Sequence, residues 1–112
     1  MEIFEIESRM RDAVNNIEKV GREYADAKAL SWLLQEQRKV VLASQMAKSE
    51  AKSVIGREQD ALQSEAYKLH LEGTKEAIAE EHRLKATYER WFAQYESCRS
   101  MMSLTKKQME MT

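Results

Sequence analysis

Apolar side chains recur along this chain at alternating steps of three and four residues, which places them on one stripe of an α-helix. The first stripe consists of Ile3, Ile6, Met10, Ala13, Ile17, Val20, Tyr24 and Ala27. It extends less regularly through Leu30, Leu34 and Val41, and the apolar surface is widened by Trp32, Leu33 and Leu42. The pattern predicts a long first helix with a heptad seam.

A second stripe of the same spacing follows Gly56 and consists of Leu62, Ala66, Leu69, Gly73, Ala77, Leu84, Tyr88, Trp91, Tyr95, Cys98 and Met102. Gly56 lies between the two stripes, and glycine is the residue that most often ends a helix. The chain has no proline and only three glycines, so few other positions interrupt a helix. The sequence therefore predicts an all-α fold, a single helical domain over residues 1–112, with a long hairpin that turns near Gly56.

Two forms of the first arm are equally compatible with this pattern. The arm is either one unbroken helix, or it breaks at Gly21 or at Asn15-Asn16. A break would give a short N-terminal helix that packs back on the hairpin.

The charges alternate in four blocks along the chain. The net charge is −3 for residues 1–26, +4 for 27–57, −5 for 58–82 and +3 for 83–112. A fold at Gly56 sets each acidic block against a basic one, which favours an antiparallel hairpin.

A lone two-helix hairpin buries only one stripe of each helix. Exposed apolar surface of the extent left over usually marks an interface. We therefore expect a homo-oligomeric bundle or ring, with an interface that includes Leu30, Trp32, Leu33 and Phe92.

No group of residues in the sequence indicates catalysis, a cofactor or a metal site. His70 and His82 stand twelve positions apart, too far to share a metal ion. The single cysteine, Cys98, lies on the second stripe and is expected to be a small buried packing residue. We expect a protein that is not an enzyme. The sequence also has neither a membrane-spanning apolar run nor the basic start of a signal peptide.

Two groups of side chains could bind nucleic acid. On a continuous helix, basic and hydrogen-bonding residues share about a third of the circumference and could follow a phosphate backbone. These residues are Arg38, Gln45, Lys48, Ser49 and Lys52, with Lys39 nearby. The alternative is a solvated face that pairs with the acids of residues 58–82.

In the second group, aromatic and arginine side chains alternate as they do in proteins that stack single-stranded bases. The group comprises Tyr88, Arg90, Trp91, Phe92, Tyr95 and Arg99. Core packing is the alternative for Tyr88, Trp91 and Tyr95, which have seam spacing. Arg90, Phe92 and Arg99 lie off the seam and are better candidates for a partner surface.

The order of several residues resembles small helical proteins of phage recombination loci, above all the recombination mediator family of T4-type phages (the UvsY type). The likeness covers most of residues 24–104. It consists of Tyr24-Ala25-x-Ala27-Lys28-x-x-Ser31-Trp32-Leu33, Lys39-Val40-Val41-Leu42-Ala43, a glycine turn, Ala66-Tyr67, Trp91 and Arg99-Ser100. The sequence departs from the family where a Lys-Ala-Arg segment would fall on the uncharged Ala43-Ser44-Gln45.

The resemblance implies a homo-oligomeric, non-enzymatic accessory protein of phage DNA recombination or replication in the cytoplasm of the bacterial host. Such a protein binds single-stranded DNA and assists a recombinase in replacing single-strand-binding protein. In this chain the expected DNA-binding residues are Arg38, Lys39, Lys48, Lys52, Arg90 and Arg99. The alternative is a structural or adaptor protein whose helices dock another protein without binding nucleic acid.

Overall fold

The computed structural model describes residues 2–112 and contains three helices. They are α1 (Ile3–Ala47), α2 (Val54–Leu62) and α3 (Glu65–Met111). Helix accounts for 91% of the structure, and no strand occurs in residues 2–112. The all-α prediction is therefore confirmed.

The first arm is one unbroken helix of 45 residues, so the predicted alternative with a short N-terminal helix is wrong. Asn16 remains helical and its side-chain amide donates to the carbonyl oxygen of Asp12 at 2.8 Å. Gly21 is helical as well. A single glycine costs a helix only about 1 kcal/mol, which packing along the seam on both sides can offset.

The two long helices are joined by residues 48–64, so the hairpin turns near Gly56 as predicted, but the prediction that Gly56 ends a helix is wrong. Gly56 falls in the first turn of α2, where its backbone N–H donates to Oγ of the N-cap residue Ser53 at 3.0 Å. No residue in the described range 2–112 has a positive φ, the conformation expected of a glycine that ends a helix. Gly56 therefore begins a helix and does not end one.

Side chains fix the backbone of this turn. Ser49 Oγ donates to Asp60 Oδ2 at 2.6 Å and accepts from the N–H of Ala51 at 3.1 Å. Arg57 Nε donates to the carbonyl oxygen of Ala51 at 2.9 Å. At the next joint, Ser64 Oγ accepts from the N–H of Tyr67 at 3.2 Å and so caps the start of α3. The short α2 is thus tied to the residues on both sides of it.

The chain divides into two compact units. Unit 1 combines Met1–Ala25 with His82–Thr112, and unit 2 is the continuous segment Asp26–Glu81. Each unit contains a segment of α1 and a segment of α3 that run antiparallel. The acidic N-terminal block and the basic C-terminal block thus belong to the same unit, as the charge pattern predicts.

Unit 1 has the apolar core that its heptad seam predicts. Its buried side chains are Ile6, Ala13, Val20 and Cys98. The Tyr24 ring of α1 lies 6.0 Å from the Tyr88 ring of α3. The prediction that Cys98 is a buried packing residue is confirmed, since only 1% of it is exposed.

Unit 2 has a more polar seam than predicted. Leu30 and Leu69, placed on the seam by their spacing, are 52% and 58% exposed. Ser31 is fully buried, and Tyr67 is 3% exposed. On α1 only Leu30 is displaced, by one residue to Ser31, whereas on α3 the seam is offset by one residue from the predicted stripe until the two meet at Ala77.

Candidate nucleic-acid interface

The basic face predicted around residues 38–52 does not form as one helical surface, because α1 ends at Ala47. Lys48 and Lys52 lie in the turn that follows. Arg38 lies on the seam of unit 2, where its Nε donates to the hydroxyl of Tyr67 at 3.0 Å. Lys39 remains on the helix and is exposed.

The second predicted group lies in unit 1, on α3. Phe92 is 45% exposed, and its ring lies 6.2 Å from the Tyr88 ring and 6.4 Å from the Tyr95 ring. Arg90 and Arg99 are nine residues apart, so they point to opposite sides of the helix. Arg99 also lies 3.5 Å from the carboxylate of Glu96. The two arginines therefore do not frame Phe92 on a single surface.

The seam of unit 2 gives every residue of its helices a heptad position. The buried and half-buried residues define positions a and d, which are Ala27, Ser31, Leu34 and Val41 on α1 and Tyr67, His70, Thr74, Ala77 and Glu81 on α3. The exposed Arg38 takes the remaining a position on α1, from which it bonds to Tyr67. In an antiparallel pair the e positions of both helices flank one side of the seam and the g positions flank the other. Positions b and c lie next to e and g, and f is outermost.

Charge is separated by this register. Within the two helix segments of unit 2, all lysines occupy b or e: Lys28, Lys39, Lys68 and Lys75. No aspartate or glutamate occupies b or e there. Apart from Glu81 on the seam, the acids occupy c, f or g: Asp26, Glu36, Glu65, Glu72, Glu76 and Glu80. One side of unit 2 is therefore basic although the whole chain has a net charge of −1.

We name this side the basic face; it consists of Lys28, Trp32, Lys39, Lys68, Leu71 and Lys75. The four lysines are exposed and have no ion-pair partner among residues 2–112. Trp32 occupies a b position between two of them and is 63% exposed. Lysines that neutralise phosphates, together with an aromatic ring available for stacking, are the two components of surfaces that bind single strands.

Polar contacts across the seam hold the two helices in the register that creates the basic face. Besides the Arg38–Tyr67 bond, Nε2 of His70 donates to the carbonyl oxygen of Leu34 at 2.8 Å. The buried Ser31 hydroxyl is instead satisfied within α1, where it accepts from Nε2 of Gln35 at 3.0 Å. Polar groups at seam positions specify register, because a shifted pairing leaves them without partners.

Three lysines of the basic face, Lys28, Lys68 and Lys75, are absent from the sequence-based set of candidates. Trp32 is in that set only as an interface residue. The signal that could have found them is the heptad position of each charge. The heptad position of each lysine can be assigned only when the seam is known to include Ser31, Arg38, Tyr67 and His70.

The three predicted interface residues of unit 2 do not share one face. Leu30 and Leu33 occupy g and c on the side opposite the basic face, and they are 52% and 45% exposed. Trp32 lies on the basic face. Phe92 belongs to unit 1.

The chain matches no protein-family model, and comparison with curated proteins and with solved structures finds no significant match. Within residues 2–112 no helix is both long and apolar enough to cross a membrane. The same residues contain no cluster of three or more histidine, cysteine or acidic side chains that could hold a metal ion.

Proposed function

We propose that this protein binds single-stranded DNA through the basic face of unit 2. The observation that carries the proposal is the complete separation of lysines from carboxylates on the flanks of the seam, with Trp32 exposed among the lysines. A face of this kind attracts a phosphate backbone even when the chain as a whole is nearly neutral.

The arrangement suits a strand bound along both helices. Lys39 follows Arg38 in sequence and Lys68 follows Tyr67, and the Arg38–Tyr67 hydrogen bond sets these two pairs at the same level. A strand that crosses the seam at this level meets one lysine on each helix. Trp32 lies about 10 Å further along α1, within reach of a base on the same strand.

The resemblance to phage recombination mediators supports the biological setting. We infer a non-enzymatic, homo-oligomeric accessory protein of phage DNA recombination or replication, acting in the bacterial cytoplasm together with a recombinase or a single-strand-binding protein. Lys28, Ser31, Trp32 and Leu33 all belong to the run that carries the resemblance. Of these, Lys28 and Trp32 lie on the basic face.

A second candidate function is that of an adaptor that docks a protein and does not bind nucleic acid. Exposed aliphatic side chains on the other side of unit 2 favour it, among them Val40, which is 67% exposed. The two functions use different faces of the same unit. A variant of one face therefore tests one function without disturbing the other.

The test is the salt dependence of oligonucleotide binding. In one variant Lys28, Lys39, Lys68 and Lys75 are replaced by alanine; in a matched control the exposed Arg9, Arg11, Lys19 and Lys85 are replaced, with the same loss of charge. Each phosphate contact contributes about 0.7 to the slope of log affinity against log salt for a single strand. We expect the first variant to lower that slope by up to about 3 and the control to change it far less.

Equal losses in the two variants would mean that binding follows net charge and would overturn the basic face as the site. An absence of binding by the unaltered protein even at low salt would overturn the function itself and leave the adaptor. Far-ultraviolet circular dichroism checks that both variants keep their helices, as expected because alanine is the better helix former.

A further inference from the structure

Unit 2 exposes several of its larger aliphatic side chains outside its own seam. Positions c and g of α1 hold Leu30, Leu33 and Val40, and the same positions of α3 hold Leu69 and Gly73. We name these residues the outer stripe. Its aliphatic members are 45–67% exposed, whereas the seam beside them holds a serine, an arginine, a histidine and a threonine. An exposed side more apolar than the core next to it is typical of an interface.

The surface of the outer stripe is flat at Gly73, where an added Cβ would meet no atom within 4 Å. Within residues 26–47 and 65–81 its charges are all of one sign: Asp26 and Glu76 occupy c, and no lysine or arginine of these helix segments occupies c, f or g. The stripe therefore fits an occupant that is apolar and basic.

The outer stripe of a second copy does not fit this description. If two copies paired outer stripe to outer stripe, the acids of both copies would be brought together in an environment that excludes water. Like charges placed against each other in an interface cost several kcal/mol. A symmetric pairing of this side with itself is therefore disfavoured.

The last three turns of α3 have the apolar and basic character that the outer stripe requires of its occupant. Leu104 and Met111 are 60% and 86% exposed and lie seven residues apart on one side of the helix. Lys107 lies on the same side of the helix, three residues after Leu104 and four before Met111. We name Leu104, Lys107 and Met111, with the half-buried Met101, the distal stripe. Its length from Met101 to Met111 is about 15 Å, the same as that from Leu30 to Val40.

We propose that the distal stripe of one copy docks on the outer stripe of unit 2 in a second copy. The two surfaces differ, so the contact is heterologous and successive copies add head to tail, closing into a ring or continuing as a filament. The contact buries aliphatic side chains of both stripes, and it brings Lys107 close to the acidic side chains that border the outer stripe. The proposal rests on the self-association included in the proposed function but not on DNA binding.

The experiment uses two full-length variants, Leu33→Glu on the outer stripe and Leu104→Glu on the distal stripe. Val14→Glu is the matched control, since Val14 is 48% exposed and lies on neither stripe. All three sites are exposed, so each variant is expected to fold, which circular dichroism checks. Mass in solution is measured by sedimentation for each protein alone and for mixtures.

We expect the unaltered protein and Val14→Glu to be assembled at micromolar concentration and each stripe variant alone to be monomeric. A one-to-one mixture of Leu33→Glu and Leu104→Glu should form a heterodimer that grows no further. Leu33→Glu retains an intact distal stripe and Leu104→Glu an intact outer stripe, so the pair can make one contact only. A symmetric contact predicts no such recovery.

A monomeric unaltered protein, a stripe variant that stays assembled, or a mixture that stays monomeric would each overturn the proposal. The variant lacking the four lysines of the basic face should keep its assembled mass, because none of those residues lies on either stripe. Loss of DNA binding and loss of head-to-tail assembly are thereby measured separately.

Discussion

A Cβ atom on Gly21 would stand 3.2 Å from Cε2 of Tyr88, closer than ordinary van der Waals contact. Gly21 therefore gives room for the Tyr88 ring in the core of unit 1, where that ring also lies 6.0 Å from the ring of Tyr24. The glycine that the sequence suggests as a helix break is a site of close helix packing instead.

Alanine substitutions at the two glycines within the long helices should have different effects. Gly73→Ala meets no atom within 4 Å and should raise the free energy of unfolding by up to about 1 kcal/mol through helix propensity. Gly21→Ala has the same gain in propensity, but it must displace the Tyr88 ring and should therefore leave stability unchanged or lower it. Thermal or urea unfolding of both variants checks this, and an equal rise in both would contradict the close packing at Gly21.

The Arg38–Tyr67 hydrogen bond should contribute measurably to the stability of unit 2. Tyr67 is 3% exposed, and its hydroxyl accepts from Arg38 Nε at 3.0 Å. Tyr67→Phe should cost about 1 kcal/mol of unfolding free energy, typical of one lost hydrogen bond. In a double-mutant cycle, Tyr67→Phe should cost less free energy of unfolding in an Arg38→Ala background than in the unaltered protein. Additive losses would show that the two side chains act independently.

The seam of unit 1 could be predicted from the sequence because its positions are apolar throughout, from Ile3 to Val20 on α1. In unit 2 the same spacing rule fails for a physical reason. Ser31 and His70 occupy the seam, and Leu30 and Leu69 lie beside it in water. Hydrophobicity identifies the most apolar positions, and in unit 2 two of them, Leu30 and Leu69, lie outside the seam that the hairpin buries. The basic face depends on this register, so three of its four lysines could not be assigned from the sequence.

Gly56 marks the region of the turn but does not predict its structure, because Gly56 lies in the first turn of α2. A Cβ on Gly56 would stand 2.9 Å from Ser53 Oγ and 3.1 Å from the Cβ of Ala51. Ser53→Ala should cost about 1 kcal/mol of unfolding free energy by removing the N-cap. Gly56→Ala should also destabilise the protein, although alanine is the better helix former, because the added methyl group strains that cap.

The double variant Ser53→Ala/Gly56→Ala separates the two effects at the turn. Once the Ser53 hydroxyl is gone, the closest of the two contacts to the new methyl group is gone as well. The double variant should then be less destabilised than the two single losses combined. Full additivity in urea unfolding would mean that the Ala51 contact, and not the cap, limits residue 56.

Trp32 should contact a base if the basic face binds single-stranded DNA. Trp32 is 63% exposed, whereas the chain's other tryptophan, Trp91, is half-buried in the seam of unit 1. In a Trp91→Phe background the fluorescence of Trp32 should be quenched when an oligonucleotide binds, because a stacked base lies against its ring.

Trp32→Ala should weaken binding by about 1–3 kcal/mol, the range for one stacked base, and Trp32→Phe by less, since phenylalanine keeps an aromatic ring. Trp32→Ala should leave the salt slope unchanged, because the phosphate contacts belong to the lysines. Binding without quenching, and with equal affinity in Trp32→Ala, would show that the lysines hold the backbone while the bases point away from α1.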